Sequence, residues 1–491
     1  MTLNKLTRLY RSSLALLTDL YQLTMAYGHW KLGRTEDEAV FNLFFRTNPF
    51  KGGYAIACGL KGVIDFLEGF RFQEDDIAYL AGLKGNDGNN LFEPAFLNYL
   101  RNLELDVDID AIEEGTVVFP QEPLVRVKGP IIQCQLIETP LLNAINFQSL
   151  IATKAARVCQ AAEGEPVLEF GLRRAQGIDG ALTASRAAYV GGCSSTSNVL
   201  AGKLFGIPVK GTHSHSWVMS FDTEQDAFDA YARAMPNNCV FLVDTYDTLE
   251  GVKKAIEAGK KLRERGYEMV GIRLDSGDLA YLSIEARKLL DGSGFEKAAI
   301  VASNELDEHV IENLKQQGST IAVWGVGTKL VTGNDHPALN GIYKLAAIRK
   351  PGQKWQYKIK LSEQFAKTNI PGLLNVRRFR NGSNFIADMI YDEQCGIGEN
   401  LTVVDPLDWT RSKKIPRKAK YEDLLVPVFR SGQIIYRSPS LEQVRQRTQN
   451  QLKRLHKGVK RFLNPHQYPA GLEYGLHQLR NQLISNVKKN M

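Results

Sequence analysis

The sequence predicts an α/β protein: an irregular parallel α/β barrel with an N-terminal α/β cap domain and a C-terminal extension. Between residues 141 and 345, short apolar runs alternate with helical segments, at a spacing of roughly 25 to 40 residues per unit that is typical of βα repeats in a parallel sheet. Six such runs in series favour a barrel, and an open doubly wound sheet is the alternative. The pattern breaks on both sides, so three domains are predicted: 1–140, 141–345 and 346–491.

Apolar spacing also predicts the elements outside the barrel region. Near the N-terminus, Thr18 or Asp19 caps a helix whose apolar stripe leaves Tyr21 to one side. A strand over 39–45 follows, and the segment from 105 to 142 is β-rich, with one strand-like run at 131–137. After the barrel come a strand-rich tail, a basic stretch over 411–420, and an amphipathic helix that extends to Phe462.

Within the barrel region, the elements follow from apolar runs and helical periodicity. The predicted helices include 247–265 and 278–290. The predicted strands are 167–170, 207–210, 240–243, 270–272, 299–302 and 321–323.

Composition limits the classes of function. The chain is 44% hydrophobic and 23% charged, with a net charge of +7, which is typical of a soluble globular protein and favours anionic partners without requiring nucleic acid. The six cysteines form no Cys-x-x-Cys pair, so reduced and mostly buried thiols are expected. No apolar stretch approaches the ~18 residues of a membrane span, and no signal-peptide pattern is present. We therefore expect a cytoplasmic protein.

Polar side chains follow almost every predicted strand of the barrel region. In parallel βα architectures the functional groups gather at the carboxyl ends of strands. Arginines bind phosphate and aspartates hold Mg²⁺, so these residues together predict a polyanion site with a divalent cation. The residues that follow the predicted strands, including two glycines, are Arg173, Arg174, Thr212, His215, Asp244, Arg273, Asp275, Ser276, Asp278, Ser303, Asn304, Gly325, Gly327 and Thr328.

Several of these residues also fit a purely structural role. The Gly-Val-Gly-Thr run at 325–328 is either a tight turn or a set of exposed backbone amides for a phosphate monoester. Asn304 fits a helix cap as well as a ligand contact, and so do Asp275 and Asp278. Arg273 is different: an arginine between an apolar strand and an Asp-Ser-Gly turn points into the barrel mouth, where it needs an anion.

His213 and His215 are two of only eight histidines, and both follow a predicted strand. Each is either satisfied by local backbone hydrogen bonds or available as an acid, base or nucleophile near neutrality. Metal-dependent amidohydrolases would need further histidines at later strand ends, and neither His309 nor His336 follows an apolar run. A nucleic-acid-binding protein would spread its positive charge over one face. No P-loop motif is present, so a nucleoside triphosphate would bind without one.

The same segments resemble the nicotinate phosphoribosyltransferase family, which belongs to the type II phosphoribosyltransferases. The matching segments run in the family's order from residue 18 past 340. They are Thr-Asp-Leu-Tyr-Gln (18–22), Glu-Phe-Gly-Leu-Arg-Arg-Ala-Gln-Gly (169–177), Gly-Thr-His-Ser-His-Ser (211–216), Val-Asp-Thr-Tyr (243–246), Arg-Leu-Asp-Ser-Gly-Asp-Leu (273–279), Gly-Val-Gly-Thr (325–328) and Gly-Ile-Tyr-Lys-Leu (341–345).

The resemblance implies an enzyme of NAD salvage that forms nicotinate mononucleotide and pyrophosphate from nicotinate and phosphoribosyl pyrophosphate (PRPP). It implies coupling to ATP hydrolysis, Mg²⁺ bound with PRPP and ATP, no tightly bound cofactor, and a homodimer with shared sites. The closest alternative is a relative that uses nicotinamide or quinolinate. No nucleic acid and no membrane are expected as partners.

The resemblance also implies roles for single residues. Tyr21, from the other subunit, and Phe170 would stack on the pyridine ring. Arg173, Thr212 and Arg273 would surround nicotinate and the ribose, with Asn304 as a further substrate contact. Asp275 would meet the ribose hydroxyls or Mg²⁺, with Asp244 as a second candidate metal ligand, and Gly327 and Thr328 would hold the 5-phosphate. His215 matches the histidine that the family phosphorylates with ATP, whereas His213 matches no functional residue.

Overall fold

The computed structural model describes residues 13–364 and 367–489. The chain divides into two compact units: the first is formed by Met1–Ser149, Ala338–Ser440 and Asn450–Met491, and the second by Leu150–Pro337 and Leu441–Gln449. The barrel region predicted at 141–345 thus lies mostly in the second unit. The predicted cap domain and C-terminal extension fall mostly together in the first unit, because strands distant in sequence pair there. Apolar periodicity identifies strands but not their partners.

The strands of both units are numbered in chain order. They are β1 (Glu38–Phe45), β2 (Ala55–Ile56), β3 (Asp108–Ile112), β4 (Val117–Val118), β5 (Val125–Pro130), β6 (Val167–Glu169), β7 (Ser195–Thr196), β8 (Val240–Leu242), β9 (Gly271–Leu274), β10 (Ala299–Ala302), β11 (Val323–Val326), β12 (Gly341–Arg349), β13 (Gln356–Tyr357), β14 (Leu374–Asn381), β15 (Asn384–Asp392), β16 (Thr402–Val404), β17 (Ser412–Lys414), β18 (Lys420–Asp423), β19 (Leu425–Arg430), β20 (Gln433–Ile434) and β21 (Ala470–Glu473).

The α-helices are numbered in the same way. They are α1 (Leu20–Lys31), α2 (Leu60–Glu68), α3 (Glu74–Gly82), α4 (Pro94–Arg101), α5 (Ile131–Leu136), α6 (Glu138–Ala161), α7 (Gly177–Gly191), α8 (Val199–Phe205), α9 (His215–Met219), α10 (Glu224–Ala234), α11 (Thr248–Glu264), α12 (Leu279–Gly292), α13 (Glu308–Gln316), α14 (Thr328–Val331), α15 (Leu441–Arg454) and α16 (Tyr474–Lys489). No helix of the described residues is long and apolar enough to span a membrane.

The second unit contains the predicted parallel sheet. Its six strands lie in the order β7-β6-β11-β10-β9-β8, and each neighbouring pair is parallel. A single parallel bridge from Thr196 to Val209 extends the β7 end of the sheet. From the β8 edge, the strands lie in chain order from β8 to β11. The earlier strands β6 and β7 then follow β11. The order is that of an irregular barrel with one seam, which lies between residues 208–210 and β8.

Most of the barrel elements lie where they were predicted, with one missed strand and several shifted boundaries, among them that of β9, which is Gly271–Leu274 and not 270–272. Residues 207–210 form only the bridge at Val209 instead of a strand, and β7 was not predicted. The last strand is Val323–Val326 and not 321–323, so Gly325 lies inside it. The helices after β8 and β9 are capped by Asp247 and Asp278, whose side chains accept hydrogen bonds from backbone amides of the first turns; of the two, only Asp278 was predicted as a possible cap.

The first unit is built on two larger sheets. The first has the order β13-β12-β1-β5-β3-β19-β20 and is antiparallel throughout, and the second has the order β17-β16-β21-β15-β14-β18. Strands β12 and β19 join the first sheet from after the barrel, which is why the N- and C-terminal segments form one unit. A buried ion pair between Arg378 and Asp388 crosses neighbouring strands of the second sheet, and Tyr468 donates to Asp388 at 2.9 Å.

Two predictions outside the barrel region are wrong. The apolar run at 131–137 is helix α5, because an apolar stretch of this length fits a buried helix as well as a strand. The C-terminal amphipathic helix ends at Arg454, and the apolar residues Val459 and Phe462 are buried without being helical. The basic stretch supplies β17 and part of β18, the two edge strands of the second sheet. Lysines on an edge strand disfavour pairing with another chain.

Candidate functional site at the carboxyl ends of the strands

Arg273 is the centre of a hydrogen-bonded cluster at the carboxyl end of the parallel sheet. It lies inside β9 instead of after it, and its guanidinium donates three hydrogen bonds. Nε donates to Ser303 Oγ at 2.8 Å, Nη1 to Thr212 Oγ1 at 3.0 Å, and Nη2 to Asp275 Oδ1 at 2.8 Å. Because these acceptors follow different strands or segments of the unit, the orientation of the guanidinium is fixed by the tertiary fold.

Two carboxylates complete the anionic side of the cluster. Burial raises the pKa of Asp275, but hydrogen bonding from Ser303 and the charge of Arg273 outweigh it, so the pKa lies below its ordinary value. Asp244 follows β8, and its Oδ2 accepts hydrogen bonds from the Asp275 amide at 2.9 Å and from Ser276 Oγ at 2.6 Å. Asp244 Oδ1 is buried without a hydrogen bond. A buried carboxylate oxygen without a partner would be stabilised by a cation.

His215 begins helix α9 and faces both carboxylates. Its Nδ1 lies 3.1 Å from Thr245 Oγ1. Its Nε2 lies 3.7 Å from Asp275 Oδ2 and 4.0 Å from Asp244 Oδ1. The side chain is 39% exposed, so Nε2 is accessible to a ligand. We call Thr212, His215, Asp244, Arg273, Asp275 and Ser303 the strand-end cluster.

His213 differs from His215 because its ring lies in the protein interior. Its Nε2 accepts a hydrogen bond from the Leu242 amide at 3.2 Å, and its Nδ1 lies 3.3 Å from the Ser214 carbonyl oxygen. Burial lowers the pKa of His213 to about 4, so the imidazole is neutral at neutral pH. Within the described residues, no three His, Cys, Asp or Glu side chains are grouped to hold a metal ion. The pair is therefore not a shared metal-binding motif.

The predicted glycine-rich turn supports the aromatic ring of Phe170. The Arg273 Cζ lies 5.7 Å from the centre of this ring. A Cβ atom on Gly325 would lie 2.8 Å from two ring carbons, and one on Gly327 would lie 3.2 Å from the Phe170 carbonyl oxygen. Only glycine at position 325 leaves room for the ring where it lies. Thr328, half-buried, begins α14, and its predicted contact with a phosphate, like that of Gly327, stays a prediction.

Among the described residues of the second unit, the predicted site residues Arg173 and Asn304 form no hydrogen bond or ion pair with the strand-end cluster. Arg173 is exposed in the turn that follows β6. Asn304 is exposed after β10 with a φ of 107°, a strained conformation for a non-glycine residue. The cap of α13 is Asp307, so Asn304 is not a helix cap. Tyr21 belongs to the first unit, is 49% exposed, and its hydroxyl donates to Glu138 Oε1 at 3.4 Å.

The sequence did not identify two polar supports of the site. Thr245 positions His215, and its place directly after the Asp244 strand exit was a signal that could have found it. Glu169 is fully buried within the β6 run and accepts hydrogen bonds from the Gly171 amide, from Ser185 Oγ at 2.8 Å and from Thr196 Oγ1 at 2.5 Å. It fixes the turn that carries Phe170, and its only signal was a carboxylate inside an apolar strand.

A cluster of cations in the first unit was also not identified. Burial lowers the pKa of Lys344, the charge of Glu138 opposes this, and the charges of Lys360 and Arg46 lower it further. Arg46 Nε is buried without a hydrogen bond. We call Arg46, Lys344 and Lys360 the first-unit cation cluster. Arg46 directly follows β1, so the strand-exit rule, applied outside the barrel, would have found it.

Three family models match most of the chain. The nicotinate phosphoribosyltransferase N-terminal domain matches residues 16–146, the nicotinate phosphoribosyltransferase family matches 166–371, and the C-terminal domain of the same enzymes matches 375–480. Nicotinate phosphoribosyltransferase of Bacillus subtilis (strain 168) is 44% identical over 484 residues, which are 98% of this chain and 97% of that protein. The Homo sapiens protein of the same name is 37% identical over 533 residues, which are 96% of this chain and 96% of that protein.

Solved structures agree with these matches. The crystal structure of human nicotinic acid phosphoribosyltransferase has a TM-score of 0.82 and 35% identity, with 95% of this chain and 99% of that chain covered. The nicotinate-nucleotide pyrophosphorylase from Pyrococcus furiosus has a TM-score of 0.69 at 21% identity, with 92% and 98% covered, and shares the fold.

Proposed function

The chain belongs to the nicotinate phosphoribosyltransferase family, and from this premise we propose that it joins nicotinate to the ribose of PRPP, releasing pyrophosphate and forming nicotinate mononucleotide. This reaction would return nicotinate to the NAD pool. None of the six cysteines forms a disulfide in the part of the chain that the structure describes, which fits a reducing compartment, so we place the reaction in the cytoplasm.

The single observation that carries the proposal is the fixed guanidinium of Arg273 beside the face of Phe170. An aromatic face stacks on a flat pyridine ring, and a guanidinium pairs with a carboxylate. Nicotinate carries both groups on one ring, whereas nicotinamide lacks the carboxylate. Because Ser303, Thr212 and Asp275 hold Arg273 before substrate arrives, little reorganisation is needed at the moment of binding.

The strand-end cluster also fits the chemistry at ribose. Breaking the anomeric C–O bond of PRPP builds positive charge on the sugar and negative charge on the departing pyrophosphate. The ionised carboxylate of Asp275 would stabilise the cationic sugar, and arginine side chains of the site would stabilise the departing pyrophosphate. Nicotinate attacks with the lone pair of its ring nitrogen, so no general base is required.

Mg²⁺ enters this proposal as part of the substrates PRPP and ATP. The buried, unpartnered Oδ1 of Asp244 and the ionised carboxylate of Asp275 are oxygen ligands of the kind that Mg²⁺ prefers. Bound there, the ion would neutralise phosphate charge. Gly327 and Thr328 would receive the 5-phosphate, with Arg173 and Asn304 as further substrate contacts.

We assign the ATP coupling to His215. With Nδ1–H donating to Thr245 Oγ1, the Nε2 lone pair is free to attack the γ-phosphorus of ATP. The N–P bond forms as the bond from the γ-phosphorus to the bridging oxygen breaks, and ADP leaves; water later hydrolyses the phosphohistidine. The phosphoryl charge would favour a state that binds PRPP more tightly, and each tenfold gain requires ~1.4 kcal/mol.

A homodimer with shared sites would bring Tyr21 to the ligand. Helix α1 and the residues before it expose an apolar strip of Leu14, Leu17, Leu20, Tyr21 and Met25, which is typical of a protein contact surface. Tyr21 hydrogen-bonds to Glu138, which also interacts electrostatically with Lys344 of the first-unit cation cluster. An aromatic ring near several cations fits one part of a site for a phosphate-rich substrate.

Arg273→Ala is expected to lower kcat/KM for nicotinate mononucleotide formation by a factor of at least about 30, equivalent to ~2 kcal/mol, because a charge-assisted contact is lost. Arg273→Lys should be nearly as poor, since an ammonium lacks the rigid planar geometry by which the guanidinium reaches three separate acceptors. Steady-state kinetics of folded protein measures both. Arg263→Ala, which breaks an exposed ion pair with Glu268 in the same unit, is the control. Near wild-type efficiency in Arg273→Ala would remove Arg273 from the site.

His215→Asn is expected to abolish labelling of the protein by γ-labelled ATP, which in the wild type should be acid-labile and base-stable. The same substitution should remove the ATP-driven fall in KM for PRPP, while a slow ATP-independent activity survives because the displacement at ribose does not use His215. His309→Asn, at an exposed histidine of the same unit, is the control and should keep the label. Label that persists in His215→Asn, or no label in the wild type, would contradict this coupling.

Mixed dimers test the donation of Tyr21 across subunits. Tyr21→Ala and Arg273→Ala chains should each be inactive alone, and mixing them should restore part of the activity, because some mixed dimers contain one complete site. Activity is measured after chain exchange has been confirmed with differently tagged chains. No recovery under confirmed exchange would mean that each site is built from one chain.

A further inference from the structure

The parallel sheet of the second unit has a seam directly beside the strand-end cluster. On one side of the seam, residues 208–210 hydrogen-bond to Thr196 of β7 through the Pro208 carbonyl and the Lys210 amide, both at 3.0 Å. On the other side, β8 pairs with β9 and ends the sheet. Within the described residues, no strand pairing joins the two sides.

The side chain of His213 crosses this seam. Its Nε2 accepts the Leu242 amide at 3.2 Å, a bond that a backbone carbonyl would accept in a closed ladder. The next amide along the chain, that of Val243 directly after β8, donates in the opposite direction to the Arg273 carbonyl at 3.2 Å. His213 therefore occupies the position of a missing strand.

The surroundings of His213 fix the ring and its tautomer. Tyr231 packs edge-on with ring centres 4.8 Å apart, and Phe228 lies at 6.2 Å, both from α10. Since Nε2 accepts a hydrogen bond, the proton resides on Nδ1, which faces the Ser214 carbonyl oxygen. Burial lowers the pKa of the ring, the hydrogen bond to Ser214 opposes this, and the neighbouring Arg273 and His215 lower it further.

The residues on either side of His213 belong to the strand-end cluster. Thr212 donates to the His213 carbonyl at 3.0 Å and accepts from Arg273. His215 makes the second link across the seam, to Thr245. A shift of the seam would thus move Thr212 and His215 relative to Arg273 and the carboxylates.

We propose that His213 is a positioning residue: its neutral ring closes the barrel seam by accepting the Leu242 amide, and it thereby holds Thr212 and His215 in register with Arg273, Asp244 and Asp275. This inference rests on the proposed function for its kinetic consequence. Its structural half, the hydrogen bond across the seam, is independent of any substrate.

Two variants separate the hydrogen bond from the packing of the ring. His213→Gln loses the ring but retains an acceptor at nearly the reach of Nε2, whereas His213→Phe retains a ring and loses the acceptor. We expect Leu242 in His213→Phe to exchange its amide hydrogen at least about tenfold faster than in wild type, and in His213→Gln to exchange at close to the wild-type rate. Exchange is measured with residue resolution, with Val243 as the internal reference.

The kinetic arm uses the same two variants. In His213→Phe, kcat for nicotinate mononucleotide formation should fall about tenfold or more because catalytic groups are misplaced, and His213→Gln should recover most of it. If only packing mattered, His213→Gln would be the worse variant, and that order would overturn the proposal. Wild-type kinetics and exchange in His213→Phe would also overturn it. A wild-type protein that forms no nicotinate mononucleotide from nicotinate and PRPP would instead overturn the proposed function.

A measurement on the wild-type chain keeps the proposal testable if His213→Phe does not fold. With ¹⁵N-labelled histidine, the signal that disappears in His213→Gln identifies His213. We expect a neutral ring protonated on Nδ1 with Nε2 unprotonated at neutral pH. A proton on Nε2 would exclude the bond to Leu242 and contradict the proposal.

Discussion

The site depends on the three hydrogen bonds that hold the Arg273 guanidinium at the carboxyl end of the parallel sheet. Ser303 and Thr212 come from other parts of the chain, and the parallel arrangement of strands brings them within 3.0 Å of the guanidinium, whereas Asp275 lies only two residues after Arg273. An arginine fixed in this way presents its charge without first losing conformational freedom, which favours an anionic ligand. The position of Arg273 therefore requires the fold of the second unit as a whole.

The two carboxylates near Arg273 differ in whether their oxygens have hydrogen-bond partners, and this difference indicates where a ligand would bind. Asp275 is paired with Arg273 and Ser303, whereas Asp244 keeps one buried oxygen without a partner. We propose that groups brought by substrates complete the contacts of Asp244 and His215. Buried polar atoms are normally satisfied, so an exception at a strand end favours a binding role over a structural one. His213, in contrast, is saturated and belongs to the framework.

Much of the fold and the site could be predicted from the sequence, and the errors have a common cause. The search for polar residues after the predicted strands identified Thr212, His215, Asp244, Arg273 and Asp275. It succeeded because the carboxyl ends of parallel strands all lie at the same edge of the sheet. Pairing between distant strands could not be predicted, since β12 and β19 look like any other apolar run and only tertiary contacts place them beside β1 and β3. The hydrogen bond from the Leu242 amide to His213 could not be predicted for the same reason, because the spacing of the two residues in the sequence shows no periodic pattern.

Base selectivity directly tests the proposed role of Arg273, which is to pair with the carboxylate of nicotinate. The purified protein is given nicotinate, nicotinamide and quinolinate together, at equal concentrations with PRPP, Mg²⁺ and ATP, and the mononucleotide products are separated and quantified. Nicotinate mononucleotide that carries the ring of nicotinate, identified by an isotope label on that base alone, is expected to be the dominant product, with little nicotinamide mononucleotide. A product mixture dominated by nicotinamide mononucleotide would contradict the account, because a neutral base gives the guanidinium no anion to bind.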